Sequence, residues 1–239
     1  MLTSLRRWVR RSSGEGDSLG SLPAFFAGLK GRGFAPRHVL DVGANEASWS
    51  RTASRFFPDA RFTLIEPRRE MAPALEKFCG ESPGRRWIAA GAAGRCGESV
   101  LAVAPDGGSS SFLPGAEGAA AVGWEARTVP LVTLASVCDA TQPPPDLVKL
   151  DVEGLELEVL EAAGPLLGES ELFVLETSWF RFRPEQPIFT EVVAFMDNYG
   201  YVPYDICWCL RRPRDGALGL VDVAFARRHG ALRVSNGWE

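Results

Sequence analysis

The sequence predicts an α/β fold: one mostly parallel, seven-stranded sheet with a reversed edge strand and helices on both faces. Three observations lead there. Short apolar runs alternate with stretches whose apolar residues recur every three or four positions, which are the signatures of strand and helix. The last two strand-like runs follow one another with no helix long enough for a parallel crossover, so that pair should be antiparallel. A chain of 239 residues that is 46% apolar can also bury one sizeable core.

Residues 1–34 are expected to hold a basic amphipathic segment, a Gly/Ser-rich linker over 12–21 and a short helix over 22–30, with the α/β domain filling 35–239. In the opening segment Arg6, Arg7, Arg10 and Arg11 stand beside Leu2, Leu5, Trp8 and Val9. It reads as a frayed, solvated helix, with a membrane-surface or partner contact as the alternative. The first strand is HVLDV (38–42), ending at Gly43, and Trp49, Ala53, Phe56 and Phe57 follow at helical spacing. RFTLIE (61–66) is the second strand, and Met71, Leu75, Phe78 and Cys79 mark its helix. A third strand is expected over 86–90, before an extended, Gly-interrupted region over 98–124 to which no element is assigned. DLVKLD (146–151) is a strand, and Leu155, Val159 and Ala162 mark a helix that Gly164-Pro165 stops. ELFVLET (171–177), a helix carrying Phe189, Val192, Val193 and Met196, and strands over 201–208 and 220–226 complete the series.

The net charge of −4 and pI near 5.4 leave no basic stripe, which argues against a nucleic-acid partner and for a small-molecule or glycoside one. No run approaches the roughly 20 apolar residues of a membrane helix, and no signal-peptide core is present, so stable membrane insertion is not expected and a cytoplasmic location is. The five cysteines, at positions 79, 96, 138, 207 and 209, form no CxxC pair and read as reduced thiols. Cys207 and Cys209, two apart on a predicted strand, should share a face.

In an open α/β sheet the ligand lies beyond the carboxyl ends of the strands, where strand order reverses. The first strand ends in Asp41-Val42-Gly43-Ala44-Asn45 and the second in Glu66-Pro67. Gly43 lets backbone approach a ligand closely. Glu66 can accept two hydrogen bonds from vicinal ribose hydroxyls, so the two together point to an adenosine-type cofactor. A pyrophosphate needs the G-x-G-x-x-G turn at a helix N-terminus; here the residues are Gly43-Ala44-Asn45-Glu46-Ala47-Ser48, with a single glycine and an acid. An acid at position 41 suits instead the cationic ammonium of a methionyl group, which favours S-adenosylmethionine over a nicotinamide dinucleotide.

VLDVGANEASWS (39–50), LIEP (64–67) and DLVKLDVEGLELEVLEAAG (146–164), with SSSFL (109–113) and VPLVTL (129–134), make the chain resemble FkbM-family methyltransferases over about residues 37–226. The resemblance implies a Rossmann-like class I methyltransferase fold, S-adenosylmethionine as donor, and O-methylation of sugars or other secondary metabolites. By position it implies that Asp41, Gly43, Ala44, Asn45 and Ser50 flank the methionyl end, that Glu66, with Pro67 beside it, holds the ribose, and that Ala90 and Gly91 hold the adenine. The family usually has glycine where this chain has Ala47, which adds a methyl to the turn entering the first helix.

Lys149, Asp151 and Glu153 of KLDVEG are the candidate catalytic residues. A hydroxyl attacking a sulfonium methyl reacts in line, so positioning should supply most of the acceleration and a base should add to it. Asp151 or Glu153 could take the proton, or could hold a divalent metal such as magnesium, both being hard oxygen ligands. Equally, Asp151 could only contact the cofactor and Glu153 only orient the first turn of the next helix. Lys149, in an otherwise apolar strand, needs an acidic partner. The alternatives on this fold are a nicotinamide-dependent oxidoreductase and a catalytically silent cofactor-binding scaffold.

Overall fold

The computed structural model describes residues 20–105, 110–112, 115–138 and 143–237. The basic segment expected over 1–11 lies outside these residues, as do the linker up to residue 19 and Ser109 and Leu113 of SSSFL. Helix α1 (Leu22–Gly31) starts where the Ser21 hydroxyl accepts from the Ala24 N–H (3.4 Å) and Pro23 occupies the first turn. It buries Phe25, Phe26 and Leu29.

The chain then alternates β1 (His38–Val42), α2 (Ser48–Phe56), β2 (Arg61–Ile65), a 3-10 turn (Arg69–Met71) running into α3 (Ala72–Gly80), and β3 (Arg85–Ile88). An excursion follows: β4 (Gly91–Ala92), β5 (Gly97–Val103), α4 (Gly115–Ala121), β6 (Glu125–Val132) and α5 (Leu134–Val137). The alternation resumes with β7 (Leu147–Leu150), α6 (Glu156–Glu161), α7 (Leu166–Glu169), β8 (Leu172–Ser178) and α8 (Phe189–Asn198), and closes on β9 (Tyr201–Arg211) and β10 (Leu218–Arg227).

The main sheet has seven strands in the order β3-β2-β1-β7-β8-β10-β9. β1 pairs parallel with β2 and β7, and β7 with β8. The edge strand β9 is antiparallel to β10, which is itself antiparallel to β8. This is the mostly parallel sheet with an antiparallel final pair that the missing crossover helix implied; the reversed strand is β10, between β8 and the edge strand β9. Strands β1, β7 and β8 are buried at every position, as strands covered on both faces must be. On one face Phe26 of α1 meets Trp49 edge-on (5.2 Å) and Phe57 (5.8 Å), above Val39, Phe62, Leu147, Leu172 and Ala224. On the other, Leu40, Val148, Phe173 and Val223 pack under Val159, Leu160, Val192 and Met196.

Two features depart from the sequence reading. The region over 98–124 helps to build a second, three-stranded sheet, β4-β6-β5, with β4 parallel and β5 antiparallel to β6. β5 and β6 are half-exposed and β4 has two residues, so no single run carries a strand period. And Cys207 and Cys209 do not share a face. Ile206 pairs with Val223 and Trp208 with Asp222, leaving Cys207 as the extra residue of a bulge; Cys207 is buried and Cys209 exposed. Among the described residues, no helix is long and apolar enough to cross a membrane.

Candidate functional site

Strand order reverses between β1 and β7, and a cavity of about 410 Å³ opens there, at the carboxyl ends of β1, β2 and β7, the size of a ligand cleft. Its lining includes Gly43, Ala44, Asn45, Glu66, Pro67, Gly91, Lys149, Asp151 and Glu153 among the residues singled out from sequence. Asp41, Ser50 and Ala90 do not line it and are buried behind its wall.

The turn after β1 is held by Gly43 and Ala44, whose N–H groups donate to the Ile65 carbonyl (2.9 and 3.1 Å). Gly43 has φ 74, and a Cβ there would stand 1.9 Å from the Asp151 carbonyl oxygen. The sequence reading asked for glycine so that a ligand could approach; what first demands it is the backbone of the β7 loop. Asn45 (φ 49) and Ala47 (φ 60) are also left-handed, which explains why glycine is the easy residue at position 47. The Ala47 methyl is buried in the apolar core and does not line the cavity.

The Asn45 turn aims its N–H at Glu66 Oε2 (2.8 Å). Glu66 is 3% exposed and is clasped by Arg68, which donates its backbone N–H (3.1 Å) and Nε (2.7 Å) to Oε1 and Nη2 (3.3 Å) to Oε2. Nothing in the sequence reading pointed to Arg68, since a basic residue two beyond a strand end is usually solvated. Gly91 faces Phe112 so closely that a Cβ would come within 2.4 Å of the ring.

Lys149 has the acidic company it required: Nζ lies 3.2 Å from Asp151 Oδ2, 3.7 Å from Asp41 Oδ1 and 3.2 Å from the Gly43 carbonyl. Burial works against its charge, but Asp151, Asp41 and Asp222 outweigh it and raise its pKa, so the ammonium persists. Burial pushes the Asp41 carboxyl up, with Lys149 and the Ser50 hydroxyl (2.5 Å to Oδ2) opposing it. Asp41 and Ser50 therefore underpin Lys149 from within the wall.

β7 stops at Leu150, so Asp151 and Glu153 converge through a loop rather than by strand alternation. Glu153 is left-handed (φ 56), its carbonyl accepts from Ser111 Oγ (3.0 Å) and Arg183 Nη1 (2.8 Å), and its carboxylate lies 3.8 Å from Arg183 Nη2. Oxygens of Asp151, Glu153 and Glu176 lie within 4.8 Å of one another. Glu176 is paired across the sheet with Asp222, and Asp222 with Trp208, so a polar row ends at an indole. The acid that steadies the loop is Glu156, in the first turn of α6, where the dipole argument had placed Glu153: Glu156 Oε1 accepts from the Val152 (3.3 Å) and Gly154 (3.1 Å) N–H groups. Phe112 lines the cavity. Trp179 instead stacks on Phe189 (4.3 Å) and Phe180 lies under Arg212 (3.7 Å). Trp49 and Trp208 supply the other aromatic walls. His38 sits at the opposite, amino end of β1, between the Pro143 carbonyl (3.1 Å) and Thr63 Oγ1 (3.0 Å).

No curated protein sequence matches the chain. Among solved structures it is similar to the methyltransferase FkbM of Methylobacillus flagellatus KT, at 12% identity and a TM-score of 0.50. The alignment covers 92% of this chain but 47% of that one, so this chain spans about half of that protein. It is also similar to the magnesium protoporphyrin IX methyltransferase of Synechocystis PCC 6803, at 13% identity, 93% and 90% coverage and a TM-score of 0.49. At 12% identity the first of these speaks for the fold alone. Sequence itself decides the family: residues 41–203, well over half the chain and containing the carboxyl ends of β1, β2 and β7, match the Methyltransferase FkbM domain, and the chain belongs to that family.

Proposed function

We propose that this chain transfers the methyl group of S-adenosylmethionine to a hydroxyl oxygen of a sugar or other secondary metabolite. The observation that carries the reading is the meeting, in one cavity, of the Gly43–Asn45 turn and buried Glu66 on one side with Asp151, Glu153 and Glu176 on the other. The residues present fit the cofactor: a buried carboxylate stands at the end of β2, and Gly91 leaves no room for a side chain beneath Phe112.

When bound, S-adenosylmethionine supplies an electrophilic methyl on a sulfonium. Glu66 accepts the ribose hydroxyls. Lys149, cationic throughout, holds Asp151 Oδ2 in place and is not a base. Asp151 or Glu153 takes the proton of the acceptor hydroxyl as the oxygen is alkylated, and Trp208 with the Glu176–Asp222 pair offers a flat face and hydrogen-bond acceptors, the usual means of holding a polyol. The same three carboxylates, Asp151, Glu153 and Glu176, would suit a divalent cation that polarises that hydroxyl.

Calorimetry with S-adenosylhomocysteine tests the cofactor half: wild type should bind it and not NAD, and Glu66→Ala should lose more than tenfold in affinity, each charge-assisted hydrogen bond being worth about 1.5 to 3 kcal/mol. Unchanged affinity in a folded Glu66→Ala protein would overturn the assignment. A mass-spectrometric screen of hydroxylated acceptors for the gain of one methyl group tests the other half. Activity lost with EDTA and restored by magnesium would place a metal on the carboxylates; indifference to EDTA leaves direct proton transfer.

A further inference from the structure

Every acceptor position on Glu66 is already taken. Oε1 receives the Arg68 N–H and Nε, and Oε2 the Asn45 N–H and Arg68 Nη2. A carboxylate offers about four lone-pair positions, so a ribose donating two O–H bonds has to displace two of these donors. The backbone pair cannot leave: Asn45 N–H is fixed by a turn that the preceding N–H groups of Gly43 and Ala44 tie to Ile65 of β2, and Arg68 N–H by the chain emerging from β2. The guanidinium can, because rotation about its side-chain bonds withdraws Nε and Nη2 together. A second observation concerns its third nitrogen. Arg68 Nη1 is buried with no hydrogen-bond partner, on a side chain 8% exposed that lines the cavity. A guanidinium that anchors a fold has its donors satisfied; this one serves a single carboxylate and leaves a buried donor unsatisfied.

Resting on the S-adenosylmethionine reading above, we propose that Arg68 is a latch on the cofactor site. In the ligand-free protein its guanidinium occupies the ribose-diol positions of Glu66; when the nucleoside enters it swings away, and Glu66 ends bonded to two hydroxyls and two backbone N–H groups. The latch sets affinity below what the site's shape would give. It also keeps a buried carboxylate paired when no cofactor is present.

Calorimetry with S-adenosylhomocysteine on Arg68→Met, which keeps the apolar stem and removes the donors, should show binding at least about tenfold tighter than wild type. Equal or weaker binding overturns the latch. Because losing one partner of a buried pair can unfold a protein, a second measurement uses wild type alone. The Arg68 Nε–H resonance should be protected from solvent exchange without ligand and should shift and lose protection at saturation. A resonance unmoved at saturation overturns the latch while Glu66-dependent binding leaves the cofactor reading intact. If wild type binds no S-adenosylhomocysteine, both fall together.

Discussion

Glu156 sits 4% exposed in the first turn of α6, and burial, opposed by the N–H groups it accepts, pushes its carboxyl up from 4.5 to about 7. The folded protein thus keeps this proton to about pH 7, whereas the unfolded chain releases it near 4.5. The stability so contributed is fully present below pH 4.5 and is lost as pH rises through 7. Burial of Asp41 acts in the same direction. Denaturation midpoints should therefore fall between these pH values, and Glu156→Gln, which keeps an acceptor oxygen, should fall less and be more stable above pH 7 by up to about 3 kcal/mol. Parallel curves for the two proteins would show that Glu156 is not the group. At the neighbouring carboxylates, Asp151→Asn and Glu153→Gln separate proton transfer from positioning. Whichever residue takes the proton should lose about a hundred- to ten-thousand-fold in kcat with little change in S-adenosylhomocysteine affinity. Wild-type turnover in both would leave catalysis to proximity alone.

Elements meet at this site backbone to backbone, so some positions tolerate nothing. Gly43→Ala puts a methyl 1.9 Å from the Asp151 carbonyl at a left-handed residue, forcing the β1 and β7 loops apart. It should cost about 2 to 5 kcal/mol in denaturant unfolding. Gly31→Ala, at the end of α1 with nothing within 4 Å, should be neutral or stabilising by up to about 1 kcal/mol. Similar losses at both positions would mean that the close approach is not what requires Gly43. The bulge in β9 is the other decision made by an element: one extra residue turns Trp208 to the side of Asp222 and the cavity, while Ile206 packs on the opposite core. Trp208→Ala should raise the acceptor KM and leave cofactor affinity within about twofold; a matched loss of both would place the indole at the cofactor instead.

For the molecule as a whole, α1 is part of the fold. The sequence reading set residues 22–30 outside a domain beginning at 35, yet Phe25, Phe26 and Leu29 sit in the same cluster as Trp49, Phe62 and Val174, and Leu22 reaches the cavity. Each of these buried side chains is worth about 1.5 to 3 kcal/mol, and together they rival the roughly 5 to 15 kcal/mol of a whole domain. A chain beginning at residue 35 should therefore lose its cooperative unfolding transition in circular dichroism, with exchange protection gone from β1 and α2. A truncated chain that unfolds as sharply as the parent would restore the boundary at 35.

What the sequence determined by itself is whatever depends on local period and strand ends. The alternation of strand and helix along the main sheet, its antiparallel final pair, and the placing of Gly43, Glu66, Lys149, Asp151 and Glu153 around one cleft all follow from apolar spacing and from where those runs stop. Tertiary structure decided what depends on partners far along the chain. Gly43 answers to Asp151, Arg68 and Asn45 close on Glu66, Asp41 lies behind the wall against Lys149 of the lining, and residues 97–132 pair into a second sheet. None of these carries a sequence period, because a long-range contact is chosen by the packing of whole elements, and a single strand or turn records only its own half of it.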